Sequence, residues 1–197
     1  MLALIVMTAF HPAHAVTPQQ LMGNWALQNA ANCRYGTGGF NTKLQPLNPS
    51  ESFLAESSGF GIFTFGPPQS IAANGTITGS VTRNFTALDK HFPASATVTG
   101  FVPSSSKVTY LTDVQTYHIR QNTITIDVQD EQGSIVAGAR AGQTQVIDNF
   151  KVVGYVSTNR RNIVLSSPDA IIENITYSNG ESYPRVCHRS TTLIKAY

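Results

Sequence analysis

The chain has 197 residues, of which 41% are hydrophobic and only 12% are charged, and its formal net charge is +2. Charged residues usually make up about a quarter of a globular protein. Here Thr, Ser, Asn, Gln and Gly take their place, as is common in exported β proteins. The Lys and Arg residues form no basic block, whereas binding to phosphates of nucleic acids needs clustered positive charge. The composition therefore argues against nucleic acid as a partner.

The N-terminal segment has the pattern of a secretory signal peptide. An apolar run over residues 2–10 precedes Ala13-His14-Ala15, which is the order of an h-region and a small-residue cleavage site. The run is too short to span a bilayer, which takes roughly 20 residues, and no second long apolar run follows. We therefore predict a signal peptide over residues 1–15 and one exported domain, periplasmic or extracellular, over residues 16–197. The alternative is a buried N-terminal strand or helix.

Two cysteines, Cys33 and Cys187, lie near the two ends of the mature chain. In an exported protein, an even pair of cysteines most simply means one disulfide. The bond would close a very long loop, for which the chain-entropy estimate is roughly 5 kcal/mol of stabilisation. The sequence therefore predicts a structural role for both cysteines.

Helical patterns are confined to the start of the mature chain. A short helix is predicted over residues 17–22, with Thr17 as N-cap and Pro18 at the first helical position. A first strand at residues 23–31 and a long loop over residues 33–58 follow, and the second strand is predicted at residues 59–65. Further strands are predicted at residues 76–87, 94–102, 107–119, 123–129, 145–156, 162–166, 170–177 and 186–195.

Turn signals separate most of these strands. The clearest are Asn74-Gly75 and the segments at residues 121–122, 131–133 and 178–180. A chain of strands with almost no helix must hide its sheet edges, by closing into a barrel or by stacking two sheets. We predict an all-β fold, an antiparallel barrel of about eight to ten strands with a long loop after the first strand.

The segment TPQQLMGNWAL at residues 17–27 resembles the opening of lipocalins and related calycin-type barrels. The matching residues are Leu21, Gly23 and Trp25, which form the pattern Leu-x-Gly-x-Trp. The resemblance implies a cup-shaped barrel that binds a small, largely apolar molecule, with Trp25 closing its floor. It also implies that an arginine near the C-terminus, Arg185 or Arg189, packs across Trp25.

Three charged residues lie on otherwise apolar strand faces. Arg83 shares a face with Ile77 and Val81, and the alternation places Asp148 and Glu173 on similar faces. A lone buried charge is strongly disfavoured. One interpretation is a polar cluster inside the barrel, in which Arg83 pairs with Asp148 or Glu173 and orients a carbonyl or carboxylate of a ligand. The alternative is that these positions lie near strand ends or that a bulge shifts the alternation.

Aromatic residues and one histidine complete the candidate site. His118 lies on a predicted strand, where it would serve as an acid or base if it faced a cavity, although an exposed or satisfied histidine fits the same pattern. The aromatic residues are equally consistent with a lined lumen and with core packing. The predicted ligand-binding residues are Arg83, Phe85, Tyr110, His118, Asp148, Phe150 and Glu173.

No motif in the chain indicates a metal or a cofactor. The histidines lack the spacing of a compact zinc site, and no Gly-x-Ser-x-Gly elbow is present. We therefore predict neither, and ligand binding in the barrel is the leading functional hypothesis. One alternative is an envelope or secreted protein that binds other proteins or glycans through its surface. Another is a barrel enzyme, a cyclase, isomerase or lyase, that uses acid/base residues such as Asp148, Glu173, His118 or Tyr110.

Overall fold

The structure is a computed structural model that describes residues 15–68, 74–87, 104–138 and 140–196. At residues 85–87 and 104–114 it describes the backbone alone. The predicted strand at residues 94–102 lies outside the described residues, as does almost all of the predicted signal peptide.

The described chain contains one short α-helix and eleven strands, and a 3₁₀ turn at Pro49–Glu51 precedes the second strand. In chain order the elements are α1 Pro18–Leu21, β1 Gly23–Gly36, β2 Ser52–Pro68, β3 Asn74–Ala87, β4 Ser104–Arg120, β5 Thr123–Val128, β6 Glu131–Ala137, β7 Thr144–Ile147, β8 Phe150–Val156, β9 Asn162–Ser166, β10 Ile172–Tyr177 and β11 Ser182–Lys195. Among these residues no helix has the length and apolar character that crossing a bilayer requires.

These strands form a closed antiparallel barrel of eight walls, which confirms the predicted fold. Five walls are the single strands β1, β2, β3, β4 and β11, and the other three each consist of two consecutive strands. β4 pairs with both β5 and β6, and β11 pairs with both β9 and β10. Pairing of β1 with β11 closes the barrel and leaves neither strand with a free edge.

The three composite walls are interrupted side by side, at a level that we call the waist: residues 129–130, 148–149 and 167–171. Side chains replace part of the missing backbone pairing there. Gln115 on β4 donates from Nε2 to the Gln129 carbonyl (3.0 Å) and accepts from the Gln129 N–H at 2.6 Å. The Asp130 N–H donates to Oδ1 of Asn149 at 3.0 Å. The breaks are therefore fixed by hydrogen bonds.

The waist reverses which residues face the interior in two adjacent walls. In β5 the buried residue Ile126 has an even number, whereas in β6 the buried Glu131 has an odd one. In β7 the buried residues, such as Ile147, have odd numbers, whereas in β8 the buried residues, such as Phe150, have even ones. The pairing register between the two walls does not change across the break. Both walls therefore turn over together, and Glu131 enters the interior.

One end of the barrel, the floor, is closed by α1 and by buried apolar side chains. The indole Nε1 of Trp25 donates to the Leu21 carbonyl at 2.8 Å, and both residues are fully buried. The Phe65 ring lies 5.5 Å from the Trp25 ring. The cation that lies over the Trp25 indole is Lys195, whose Nζ is 5.6 Å from the ring centre.

The expectation that Arg185 or Arg189 packs across Trp25 is wrong, and the strand register explains why. Trp25 pairs directly with Lys195, whereas the two arginines lie opposite Tyr35 and Ala31, further along β1.

Several predicted boundaries also need correction. β1 continues to Gly36 and β2 begins at Ser52, so the loop after the first strand is shorter than predicted. The expected turn at residues 131–133 lies in β6, and Asn74-Gly75 begins β3 instead of forming a turn. In these strands several interior positions carry small or charged residues, which hides the apolar alternation on which the prediction depended.

Candidate ligand-binding site

Five charged side chains meet inside the barrel and form what we call the charge cluster. Each is at most 8% exposed. Three are positive and two are negative, so the five carry a net charge of +1. Buried charges are unfavourable unless they are paired and hydrogen-bonded, so each member of the cluster needs a partner in the interior. The cluster consists of Arg83, Glu131, Glu173, Arg185 and Arg189.

Arg83 and Glu131 form a pair with two hydrogen bonds. The guanidinium nitrogens Nη1 and Nη2 of Arg83 donate to the two Glu131 carboxylate oxygens, at 2.6 and 2.9 Å. The pair joins β3 to β6 over the inner face of β4. The interpretation in which Arg83 pairs with Asp148 or Glu173 is therefore wrong, because the waist turns Glu131 inward and brings its carboxylate within reach.

A glycine on β2 makes room for this pair. Gly59 pairs with Asn29 on one side and with Arg83 on the other. A Cβ atom at Gly59 would lie 2.5 Å from Oδ1 of Asn29 and 2.7 Å from Cγ of Arg83. Side chains from β1 and β3 therefore approach each other across a strand that has no side chain at this level.

Glu173 holds the other two arginines. It pairs with Arg185 across β10 and β11, where Nε of Arg185 donates to Oε1 at 2.7 Å. Nη2 of Arg189 donates to the same oxygen. Nη1 of Arg185 also donates to the Tyr35 hydroxyl at 2.8 Å. Oε2 of Glu173 is buried and has no hydrogen-bond partner among the described residues.

Arg189 is the least saturated cation of the cluster. Its guanidinium carbon lies 3.9 Å from the centre of the Phe150 ring, a cation–π contact. Within the described residues, the hydrogen bonds of this side chain go only to Glu173. Burial lowers the pKa of Arg189, the charge of Glu173 raises it, and the positive charge of Arg185 lowers it further. Among the described residues, the guanidinium therefore has N–H donors without a hydrogen-bond partner, and it shares its one carboxylate partner with Arg185.

The end of the barrel opposite the floor, which we call the mouth, is rich in aromatic side chains. The rings of Tyr35 and Phe53 stack with centres 4.6 Å apart, and those of Tyr177 and Tyr183 meet edge to face at 6.1 Å. Burial raises the pKa of Tyr177 to about 12. Arg140 lies 4.2 Å above the Tyr177 ring. The mouth therefore carries aromatic rings that pack against the core, above the charge cluster.

The cysteines predicted to form a disulfide do so, in this same interior. Cys33 and Cys187 face each other across β1 and β11, with Cα atoms 4.1 Å apart, and both are buried. On β11, Cys187 stands between Arg185 and Arg189. The bond therefore fixes the two strands that close the barrel at the level of the cluster.

The structure brings together three of the predicted ligand-binding residues and separates two others from them. Arg83, Phe150 and Glu173 face the interior. The Asp148 carboxylate instead accepts from the backbone N–H and the side-chain amide of Asn174, at 2.9 and 2.8 Å. His118 lies on the outer wall, with 49% of its side chain exposed.

The alternation that placed Asp148 on an inward face fails at the waist, as the bulge alternative anticipates. On β4, His118 lies next to Tyr117, and Tyr117 is the one that faces inward. Phe85 and Tyr110 belong to β3 and β4, but their side chains lie outside the described residues.

Three members of the cluster are not among the predicted ligand-binding residues. The sequence places Glu131 in a predicted turn, and it suggests Arg185 and Arg189 only as partners of Trp25. A usable signal for both arginines is their alternation with Cys187, which places all three residues on one face of β11. For Glu131 no such signal existed, because its inward orientation depends on the waist.

Of the acid and base residues suggested for a barrel enzyme, the three whose side chains the structure describes do not converge. Glu173 is inside, Asp148 is at the waist and His118 is outside. In the part of the chain that the structure describes, no three His, Cys, Asp or Glu side chains form a group suited to a metal ion.

Comparisons with protein-family models, with curated proteins and with solved structures give no match for this chain. The functional assignment therefore depends on the geometry of the barrel and its charge cluster.

Proposed function

We propose that this protein is an exported, lipocalin-like barrel that binds a small, largely apolar ligand in its lumen. The observation that carries the proposal is the closed antiparallel barrel with an apolar floor and an aromatic mouth. Small-molecule sites are typically concave and mostly apolar, with a few polar groups that fix the orientation of the ligand. The barrel wall supplies the enclosure and the charge cluster supplies the polar groups.

Binding would depend mainly on the removal of apolar surface from water. Each Å² of apolar surface that a ligand buries contributes roughly 25 cal/mol. The Tyr35–Phe53 and Tyr177–Tyr183 pairs offer rings whose faces and edges accept apolar groups at little entropic cost. A polar group of the ligand that hydrogen-bonds to the paired charges beneath the rings would strengthen binding, and one buried without a hydrogen bond would weaken it.

Two features support export. The N-terminal segment has the order of a signal peptide, and the structure contains the Cys33–Cys187 disulfide, a bond typical of oxidising compartments.

Native mass spectrometry of the protein purified from its own exported fraction tests the proposal. We expect a bound small molecule that is lost when the protein is denatured. The denatured mass also reports removal of the signal peptide and the two hydrogens lost in the disulfide. Repeated purification without a bound molecule, together with failure to bind any of a panel of apolar probes, would contradict lumen binding.

A second candidate, binding of proteins or glycans through the surface, has one observation in its favour. Apolar side chains form a strip on the outer wall, where Ile62, Ala26 and Ile194 are direct cross-strand neighbours and Val164 pairs with Tyr155. Tyr155 is 70% exposed and Ile62 is 56% exposed. Contiguous exposed apolar surface commonly marks an interaction site. If the lumen proves empty, replacing Ile62 and Tyr155 by serine should abolish partner binding and leave the fold intact.

A further inference from the structure

The charge cluster is suited to a ligand that carries a negative charge. We propose that the lumen binds an amphipathic organic anion, such as a carboxylate with an apolar tail, and that Arg189 is the residue that binds its anionic group. This inference rests on the proposed function and names the chemical class of its ligand.

The first argument is that one carboxylate serves two arginines. Arg83 forms an ion pair with Glu131, whereas Arg185 and Arg189 both form ion pairs with Oε1 of Glu173. Among the described residues, Arg189 therefore shares its one carboxylate partner with a second arginine. A buried guanidinium whose charge is only partly compensated is unfavourable, and a bound anion would supply the missing negative charge.

The second argument is the state of the individual arginines. Arg185 donates to Glu173 and to the Tyr35 hydroxyl. Among the described residues, Arg189 donates to Glu173 alone, from one nitrogen, although a guanidinium has five N–H donors. It is 7% exposed and lies in the barrel interior. A planar guanidinium with donors left over is the side chain best matched to a carboxylate, which it binds with two parallel hydrogen bonds.

The third argument is the position of Arg189 along the barrel. It lies midway along β11, between Tyr183 at the mouth and Lys195 at the floor. Below it the buried residues are mainly apolar and close-packed, as at Leu193, Leu165 and Ile163. Above it are the aromatic pairs of the mouth. A ligand that enters through the mouth would place its anionic group at Arg189 and its apolar body between those rings.

Isothermal titration calorimetry with probes of equal chain length tests this inference. Decanoate and decanol differ in the charged group and share the apolar tail. Because hydrogen bonds to charged groups are stronger than neutral ones, we expect the wild-type protein to bind decanoate about 10-fold or more tightly than decanol. In Arg189→Met we expect the ratio of the two dissociation constants to fall to about one, mainly through weaker binding of decanoate.

Arg120→Met is the matched control. Arg120 lies at the end of β4 and its side chain is exposed on the outside, so the substitution removes one positive charge and leaves the lumen unchanged. We expect its decanoate preference to equal that of the wild type. Circular dichroism and a thermal melt verify that each variant is folded. The wild-type comparison of the two probes does not depend on any variant.

The outcomes separate the two proposals. Equal binding of decanoate and decanol by the wild type would support a lumen site and overturn the anion inference. A folded Arg189→Met that keeps the full preference would overturn the assignment to Arg189. Binding of neither probe would contradict the lumen site for a single-chain apolar ligand, and the anion inference with it.

Discussion

Arg83 and Glu131 form an ion pair with hydrogen bonds of 2.6 and 2.9 Å, although 48 residues separate them in the sequence. Both are buried, and the pair joins β3 to β6 over the face of the strand between them. Two guanidinium nitrogens donate to two carboxylate oxygens, so each charged group has the other as its partner. The stability of the fold therefore depends on both residues together.

Arg83→Met should lower the free energy of unfolding by about 3–5 kcal/mol, because Glu131 is then buried without its partner. Arg83→Met/Glu131→Met should recover most of that loss, since a well-packed apolar pair often replaces a buried ion pair at little cost. Urea unfolding at neutral pH measures both. Arg83→Met/Asp148→Ala is the control, and its two effects should add, because Asp148 bonds to Asn174 instead. The pairing would be contradicted if the effects of Arg83→Met and Asp148→Ala on the free energy of unfolding were not additive. It would also be contradicted if the effects of Arg83→Met and Glu131→Met simply added.

Gly59→Ala should lower the free energy of unfolding by about 1–3 kcal/mol, which is typical of overpacking. The new methyl group would lie 2.5 Å from Oδ1 of Asn29 and 2.7 Å from Cγ of Arg83. Gly38→Ala is the matched control, because its Cβ would meet Cβ of Asn48 at 3.4 Å. We expect thermal melts to separate the two variants clearly. Equal melting temperatures would show that the interior at Gly59 has room to spare.

Cys33→Ala/Cys187→Ala should reduce the free energy of unfolding by about 2–5 kcal/mol, because the disulfide closes a loop of 154 residues. The wild type treated with a reductant should unfold at the same denaturant concentration as the double variant. The double variant itself should not respond to reductant. If the wild type kept its full stability after verified reduction, the pairing of β1 with β11 alone would be sufficient to hold the barrel closed.

Tyr117→Phe should change the response of stability to alkaline pH. Burial raises the pKa of Tyr117 from 10.0 to about 12, so the unfolded chain loses this proton first. The wild type should therefore lose stability as the pH rises from about 10 towards about 12, and the phenylalanine variant should lose less.

Near pH 7 the Tyr117 substitution should have little effect, because the hydroxyl has no hydrogen-bond partner among the described residues. Denaturant midpoints at pH 7, 10 and 11 provide the measurement. Tyr155→Phe, at a position that is 70% exposed, should follow the wild type throughout. A phenylalanine variant at position 117 that followed the wild type just as closely would show that the buried hydroxyl does not drive the alkaline loss.

The fold could be predicted from the sequence because several of its strands have a clear local alternation of apolar and polar residues. Ile77, Val81 and Arg83 occupy one face of β3 as the alternation predicts, and Cys33 and Cys187 pair as their number and position predict. Local alternation cannot reveal where a wall turns over. The alternation therefore places Asp148 and Glu131 wrongly, since the turn at the waist depends on pairing between two walls and on side chains such as Gln115.

The sequence predicts that charged side chains meet inside the barrel, but it does not predict which residues pair. The sequence identifies Arg83 and Glu173 because a charge on an apolar face is unfavourable without a partner. Their partners come from other strands, and only the closed barrel brings Glu131 to Arg83 and Arg189 to Glu173.

The pairing of β1 with β11 also governs how the protein folds. These strands are the first and the last of the described chain, so their pairing has the largest sequence separation of any strand pairing among the described residues. Contacts of that kind form slowly, because the entropy of the intervening chain is lost before they contribute. Until they form, both edge strands offer unpaired backbone to other molecules. Closure aligns Cys33 with Cys187. The two thiols can therefore form the disulfide only once β1 and β11 pair in the native register.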